Sequence, residues 1–195
     1  MSVLERPTVM FPPEPQKLWT VEEFHKLQDL GILDRCELIE GVIIDKMGQS
    51  GLHAQIIRAL MNILANVFGL ERLMIQLPVR LQDEIGRRSE PLPDVAVTRE
   101  GYIAYDENPA ADDLLLVLEV SDSSIRPDLT TKALLYAKAE ISEYWVVDVD
   151  KRRVIVHRDP SQEGYREIME WKQGETVSPL TQPESRIAVA DIFPQ

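Results

Sequence analysis

A chain of 195 residues, 44% hydrophobic and 28% charged, has the composition of one soluble globular domain and the length to bury a sizeable core. No apolar run approaches a membrane span, the first residues lack the apolar segment of a secretory signal, and the single cysteine, Cys36, excludes an internal disulfide and suits a reducing cytoplasm. The net charge of -12 argues against tight constitutive binding to a polyanion, which needs a basic face, but it does not exclude a nuclease.

Residues 1–17, with Pro7, Pro12, Pro13 and Pro15, are expected to form an extended arm, and residues 18–195 a single domain. Thr20 and Glu23 have capping-box spacing and open a helix through about Leu30, stopped by Gly31. Its apolar positions Phe24, Leu27 and Leu30 recur at helical spacing. Arg35 to Met47 reads as a β-hairpin turning near Glu40 and Gly41. Ser50 caps a second helix that carries His53, Ile56, Ile57, Leu60, Leu64 and Val67 on one face and ends at Gly69. Strands are expected at about Leu73–Leu81 and Pro93–Thr98, joined by a charged loop at Gln82–Glu90.

The apolar run Leu114–Ser121 is the central strand. Pro127 suits the first turn of the next helix, which runs to about Glu140 and buries Leu129, Ala133, Tyr136 and Ala137. Glu143–Val149 is a further strand, and Asp150 and Lys151 turn it back into Arg153–Arg158. Tyr165–Trp171 and two short segments read as a β-meander. The order of elements predicts an α/β (α+β) fold, a mixed central sheet flanked by helices, with one helix crossing between strands 114–121 and 143–149.

Three residues could carry chemistry. Alternation along a strand places Glu119 on the face of Leu115 and Val117, and a carboxylate there must be paired, hydrogen-bonded or bound to a cation. Asp94 stands after Pro93 at a strand entrance and shares a face with Ala96 and Thr98. Lys132, four residues after Asp128, is either a surface ion pair or a flexible cation at the margin of the apolar stripe, within reach of the central strand. Two carboxylates at neighbouring strand ends can hold Mg²⁺, with Mn²⁺ as a substitute, and a lysine beside it can orient water or offset phosphate charge. Arg80, Arg87 and Arg88, and Lys151 to Arg153 with His157 and Arg158, form two basic clusters that read as solvated hairpin surface. Tyr144, Trp145 and Cys36 read as core.

These residues in this order resemble the PD-(D/E)XK nuclease superfamily, with its restriction-endonuclease-like fold, and more narrowly the Uma-two family. The resemblance rests on Cys36 to Gly41, His53, Pro93 to Val97, Leu118 to Ser121, Asp128 with Lys132 and Tyr136, and Glu143 to Asp148, and it spans roughly residues 20–160. It departs from the superfamily at Ser121, where a lysine would complete Glu-X-Lys, so the lysine role is carried to Lys132. The resemblance further implies the backbone carbonyl of Val120 as a metal ligand, Glu37 as an acid that extends the metal shell or orients a lysine, and His53 as an accessory residue. It implies a Mg²⁺-dependent DNA endonuclease; cutting two strands needs two sites, so a homodimer is expected, in the cytoplasm and off the membrane as the composition suggests. The alternatives are a catalytically silent nuclease-fold binding module and a metal-dependent phosphoesterase acting on a smaller substrate.

Overall fold

The structure, a computed structural model, describes residues 17–46, 50–122 and 125–194. All but Lys17 of the expected arm lies outside the described residues, as does Met47 of the expected hairpin. The first helix, α1 (Val21–Asp29), is opened by a complete capping box: Thr20 Oγ1 accepts from the Glu23 N–H, and the Glu23 carboxylate accepts from the Thr20 N–H. Of its apolar positions Phe24 is buried, whereas Leu30 is exposed.

β1 (Cys36–Ile39) and β2 (Val42–Asp45) form the expected hairpin. Its two-residue turn has positive φ at both Glu40 and Gly41, the geometry that matches the twist of the flanking strands. A side chain at Gly41 would also collide with Leu18, since a Cβ there would lie 2.8 Å from its Cβ. Cys36 is half-buried at the mouth of the hairpin rather than in the core. α2 (Gly51–Phe68) starts where Ser50 Oγ accepts from the His53 N–H at 3.0 Å.

The strand expected at Leu73–Leu81 is shorter: β3 spans only Leu73–Ile75. Gln76 takes a positive φ, and Pro78 cannot donate to a ladder, so the run continues as coil with an isolated bridge at Arg80. The expected loop at 82–90 includes one helical turn, α3 (Asp83–Gly86). β4 (Val95–Thr98), β5 (Leu114–Ser121), β6 (Glu143–Asp148), β7 (Arg153–Ser161) and β8 (Gly164–Lys172) join β3 in a six-stranded sheet ordered β3-β4-β5-β6-β7-β8. Only the β5–β6 pair is parallel, as a helical crossover requires. That crossover ends in α4 (Ala133–Lys138), preceded by a wide π turn at Asp128–Lys132. The meander is β6 to β8; the two further short strands, β9 (Thr176–Val177) and β10 (Ile187–Ala188), form a separate pair followed by α5 (Val189–Ile192).

Two apolar layers enclose the sheet. Ile56, Leu60 and Leu64 of α2 pack on Val95, Val97, Leu116, Leu118, Val120, Trp145 and Val147. Ala133, Tyr136 and Ala137 of α4 pack on Ala96, Val117, Tyr144, Val146 and Ile155. Glu119 therefore shares the α4 side with Val117, but Leu115 faces the α2 side. The register steps from Val97 opposite Leu116 to Thr98 opposite Leu114, so a bulge at Leu115 breaks the simple alternation.

His157, on the α4 side of β7, is buried between Tyr144 and Tyr165, and its Nδ1 has no hydrogen-bond partner among the described residues. Burial holds its basicity below the ordinary imidazole value. The unfolded chain then binds a proton that the folded chain refuses, so this group's contribution is complete above about pH 6.5 and falls as the pH drops through that value, by at most about 1.4 kcal/mol per pH unit. His157→Phe is expected to flatten the acid limb of stability relative to the parent, measured by urea unfolding between pH 7.5 and 5. Parallel curves for the two proteins would exclude His157 as the source.

Candidate active site

The carboxyl end of β5 and the entrance of β4 lie side by side, because Val95 pairs with Leu118. Asp94 and Glu119 are thereby brought together, each about 1% exposed. Asp94 Oδ2 accepts the Val120 N–H at 2.8 Å, and its Oδ1 faces Gln76 Nε2 at 3.4 Å, Lys46 Nζ at 3.5 Å and His53 Nε2 at 3.4 Å. Among the described residues His53 Nε2 has no other partner. Burial pushes the Asp94 carboxyl up, but His53, Lys46 and the Val120 N–H outweigh it and hold the group well below the usual carboxylate range.

Glu119 is satisfied at both oxygens. Oε1 accepts from Lys132 Nζ at 2.8 Å and from the Tyr136 hydroxyl at 3.0 Å, while Oε2 faces Lys46 Nζ at 3.3 Å. Its burial is nevertheless dominant, and with Asp94 and Asp128 nearby it raises the carboxyl to about 7 against the pull of the two lysines. A carboxylate raised in this way detracts from folding as the pH climbs from about 4.5 to 7, the opposite sign to His157 over the same interval.

Lys132 is 5% exposed and sits among acids. Nζ is 2.8 Å from both Glu37 Oε1 and Glu119 Oε1 but 4.0 Å from Asp128 Oδ1, so the surface i,i+4 pair is the weakest of its contacts. The π turn explains the inward position: the Ala133 N–H reaches back to the Asp128 carbonyl, and the widened turn carries Lys132 from the stripe's margin towards the sheet. Burial disfavours its charge, but Glu119, Glu37 and Asp128 more than offset this and hold the ammonium protonated. Glu37, 2% exposed, is fixed at its other oxygen by the Leu92 N–H at 3.1 Å.

Lys132→Met is expected to lower stability by about 3 kcal/mol, because it strands buried carboxylates; protonation of Glu119 limits the loss. An exposed i,i+4 pair would cost only a few tenths of a kcal/mol, so chemical denaturation separates the two cases.

The structure thus brings Glu37, His53, Asp94, Glu119 and Lys132 into one cluster, together with four groups that sequence reasoning did not assign to the site: Lys46, Gln76, the Tyr136 hydroxyl and the Asp128 carboxylate. Asp128 accepts a hydrogen bond from Ser121 and is raised by burial, with Lys132 opposing. Lys46 left a legible signal. It stands two residues beyond Ile44, the hairpin partner of Glu37, so alternation puts Lys46 and Glu37 on the same face.

Asp94 Oδ1 and Glu119 Oε2 converge on a single ammonium, Lys46 Nζ. Glu37, Asp94, Glu119 and Asp128 are four carboxylates facing two ammoniums, which leaves a formal deficit that a divalent cation would fill. Among the described residues no three His, Cys, Asp or Glu side chains are arranged to cage a metal. Mg²⁺ needs no cage, as it takes one or two carboxylates and keeps several waters, and the two hard oxygens fit it. Ser121 turns its carbonyl towards the end of β6, where the N–H of Val149, the residue after the strand, donates to it. Alternation therefore turns the Val120 peptide groups the other way, towards Asp94.

Three members of the basic clusters are ion-paired, while Arg87, Arg88 and Lys151 are exposed. Arg80 bonds Glu107 and the Asn108 carbonyl, Arg153 pairs with Asp148 and Glu170, and Arg158 pairs with Glu143. Among the described residues no helix is long and apolar enough to cross a membrane.

A comparison with curated proteins finds no match. Among solved structures the chain is similar to one described as a "putative nuclease belonging to DUF820" from Anabaena variabilis ATCC 29413, at 19% identity and a TM-score of 0.64, over 86% of this chain and 96% of that one. This likeness establishes the shared fold, mixed sheet and flanking helices included. Residues 21–190 match the family Uma2, described as "Putative restriction endonuclease", and since that span holds every residue of the cluster around Asp94 and Glu119, the chain belongs to this family.

Proposed function

We propose that the chain is a metal-dependent endonuclease that hydrolyses DNA phosphodiester bonds at the Asp94–Glu119 cluster. The observation that carries this reading is the convergence of two buried carboxylate oxygens, Asp94 Oδ1 and Glu119 Oε2, on one cation position. In the proposed site these two side chains hold Mg²⁺, or Mn²⁺ in its place, with the Val120 carbonyl as a third ligand. A bound Mg²⁺ would polarise a phosphoryl oxygen and acidify a coordinated water.

The chain's own residues prepare that position. The Val120 N–H fixes one oxygen of Asp94 and leaves the other facing the gap. Lys132 and Tyr136 together hold Glu119 Oε1, which leaves Oε2 for the cation. With two carboxylates at 2.8 Å, Lys132 acts as a positioning residue for Glu119 and Glu37 rather than as a group that reaches water or phosphate. His53 keeps Asp94 ionised. Cutting both strands of a duplex calls for two such sites, so a symmetric homodimer is part of the proposal.

The ion-paired arginines favour a second reading, a phosphoesterase acting on a smaller substrate that needs no basic face. One set of measurements separates them. Mg²⁺ and Mn²⁺ are titrated calorimetrically into the protein and into Glu119→Gln, and duplex DNA and p-nitrophenyl phosphodiesters are then offered as substrates. Glu119-dependent binding with DNA cleavage is expected; hydrolysis of the small ester alone would favour the second reading. Failure to bind metal with or without duplex would leave a catalytically silent module.

A further inference from the structure

Lys46 was drawn into the site by the fold, and its position differs in kind from that of Lys132. Lys132 lies behind Glu119, clamped between Glu119 Oε1 and Glu37 Oε1. Lys46 lies in front, between Glu119 Oε2 at 3.3 Å and Asp94 Oδ1 at 3.5 Å. Those two oxygens are the ones left over after Val120, Tyr136 and Lys132 have taken their partners. The lysine ends the hairpin, its N–H donating to the Arg35 carbonyl at 2.9 Å, and its side chain is 14% exposed against 6% for Lys132. Its contacts are also longer than the 2.8 Å pairs behind it. The four-carbon stem common to lysines, a partly exposed side chain and long contacts make Lys46 the cation of the pair that can leave.

We propose that Lys46 is a built-in competitor for the metal position: its ammonium and a hard divalent cation claim the same two carboxylate oxygens, so the cation enters by displacing Lys46. The inference rests on the proposed metal site but concerns a different residue. Lys46 holds two carboxylates together that would otherwise repel, and it sets the concentration of divalent cation at which the site loads. No covalent bond is made or broken in the exchange; one singly charged group gives way to a doubly charged ion, which halves the formal charge deficit of the cluster.

The test is the Mg²⁺ affinity of Lys46→Met, which keeps the stem and removes the charge, measured calorimetrically at pH 8 beside the parent and Lys46→Arg. Lys46→Met is expected to bind Mg²⁺ about tenfold more tightly or better, because a charged competitor has been removed, whereas Lys46→Arg stays near the parent. A residue with a merely structural role would leave the affinity unchanged or weaken it. Equal affinity in Lys46→Met and the parent overturns the inference and leaves the nuclease reading standing; absence of binding in both overturns the two together. Should Lys46→Met not fold, the parent supplies the second measurement. Acylation of Lys46 by an amine reagent, read by peptide mass spectrometry, is expected to rise when Mg²⁺ is added, and unchanged or reduced labelling overturns the inference.

Discussion

Asp94→Asn is expected to reduce metal-dependent cleavage by roughly 10³-fold or more while the protein stays folded. The substitution is nearly isosteric, and the amide keeps an oxygen that can still accept the Val120 N–H, so the junction of β4 and β5 is preserved. What is lost is a charge. Asp94 is held below the usual carboxylate range, so the parent presents a full negative charge at neutral pH. An amide has one neutral oxygen to offer a hard cation and gives little of the affinity that a carboxylate does. Alanine would be the poorer choice, because it would also orphan the buried Val120 N–H and confuse loss of chemistry with loss of fold. Cleavage measured under single-turnover conditions, with circular dichroism and thermal unfolding as controls, decides the matter. Full-rate cleavage by well-folded Asp94→Asn would remove Asp94 from the site.

The largest stability effect is expected away from the site. Glu143, at the start of β6, is completely buried and forms the centre of a network. Oε1 accepts from Trp145 Nε1 at 2.9 Å and from Arg158 Nε and Nη2 at 2.9 and 2.6 Å, and Oε2 accepts the Leu180 N–H at 2.7 Å. Arg158 extends the network to the Ser178 carbonyl. One carboxylate thereby ties β6 to its neighbour β7 and to the segment after β9. Glu143→Ala strands a buried indole N–H together with a partly buried guanidinium and backbone N–H, and is expected to cost about 4 kcal/mol. Glu143→Gln, which keeps the shape and one acceptor, should cost about half as much. Urea unfolding measures both; a loss below about 1 kcal/mol for the alanine variant would show that the network contributes little beyond its own desolvation.

The sequence made the framework legible wherever the signal was local. Thr20 and Ser50 mark helix starts because a hydroxyl must satisfy free N–H groups, and both caps are formed. Leu114–Ser121 is apolar apart from Glu119 and Ser121 because the strand is covered on both faces, and its bounds are those expected. The two acids are legible for the same reason: a carboxylate in such surroundings must have a partner. Their partners are less legible. Lys46 reaches Glu119 across 73 residues of chain, and nothing around Lys46 marks it except its register with Glu37. The ion pairs of Arg153 and Arg158 depend on register between β6, β7 and β8, so these two arginines read as solvated surface although they tie strands together, whereas Arg80, Arg87, Arg88 and Lys151 are exposed as that reading expects. Leu115 was misplaced because a bulge costs one residue of alternation and carries no letter of its own.

The π turn at Asp128–Lys132 has a consequence for how such a site is acquired or lost. A wide turn accommodates one residue more than a regular helix would, so the address of Lys132 is set by chain length as well as by identity. Removing a single residue inside the turn would regularise the helix and rotate Lys132 by about 100°, away from Glu37 and Glu119. Every charged letter would survive. Two sequences identical in their acids and lysines can therefore differ in whether those groups ever meet, and a gap of one position in this turn separates a poised cluster from a scattered one.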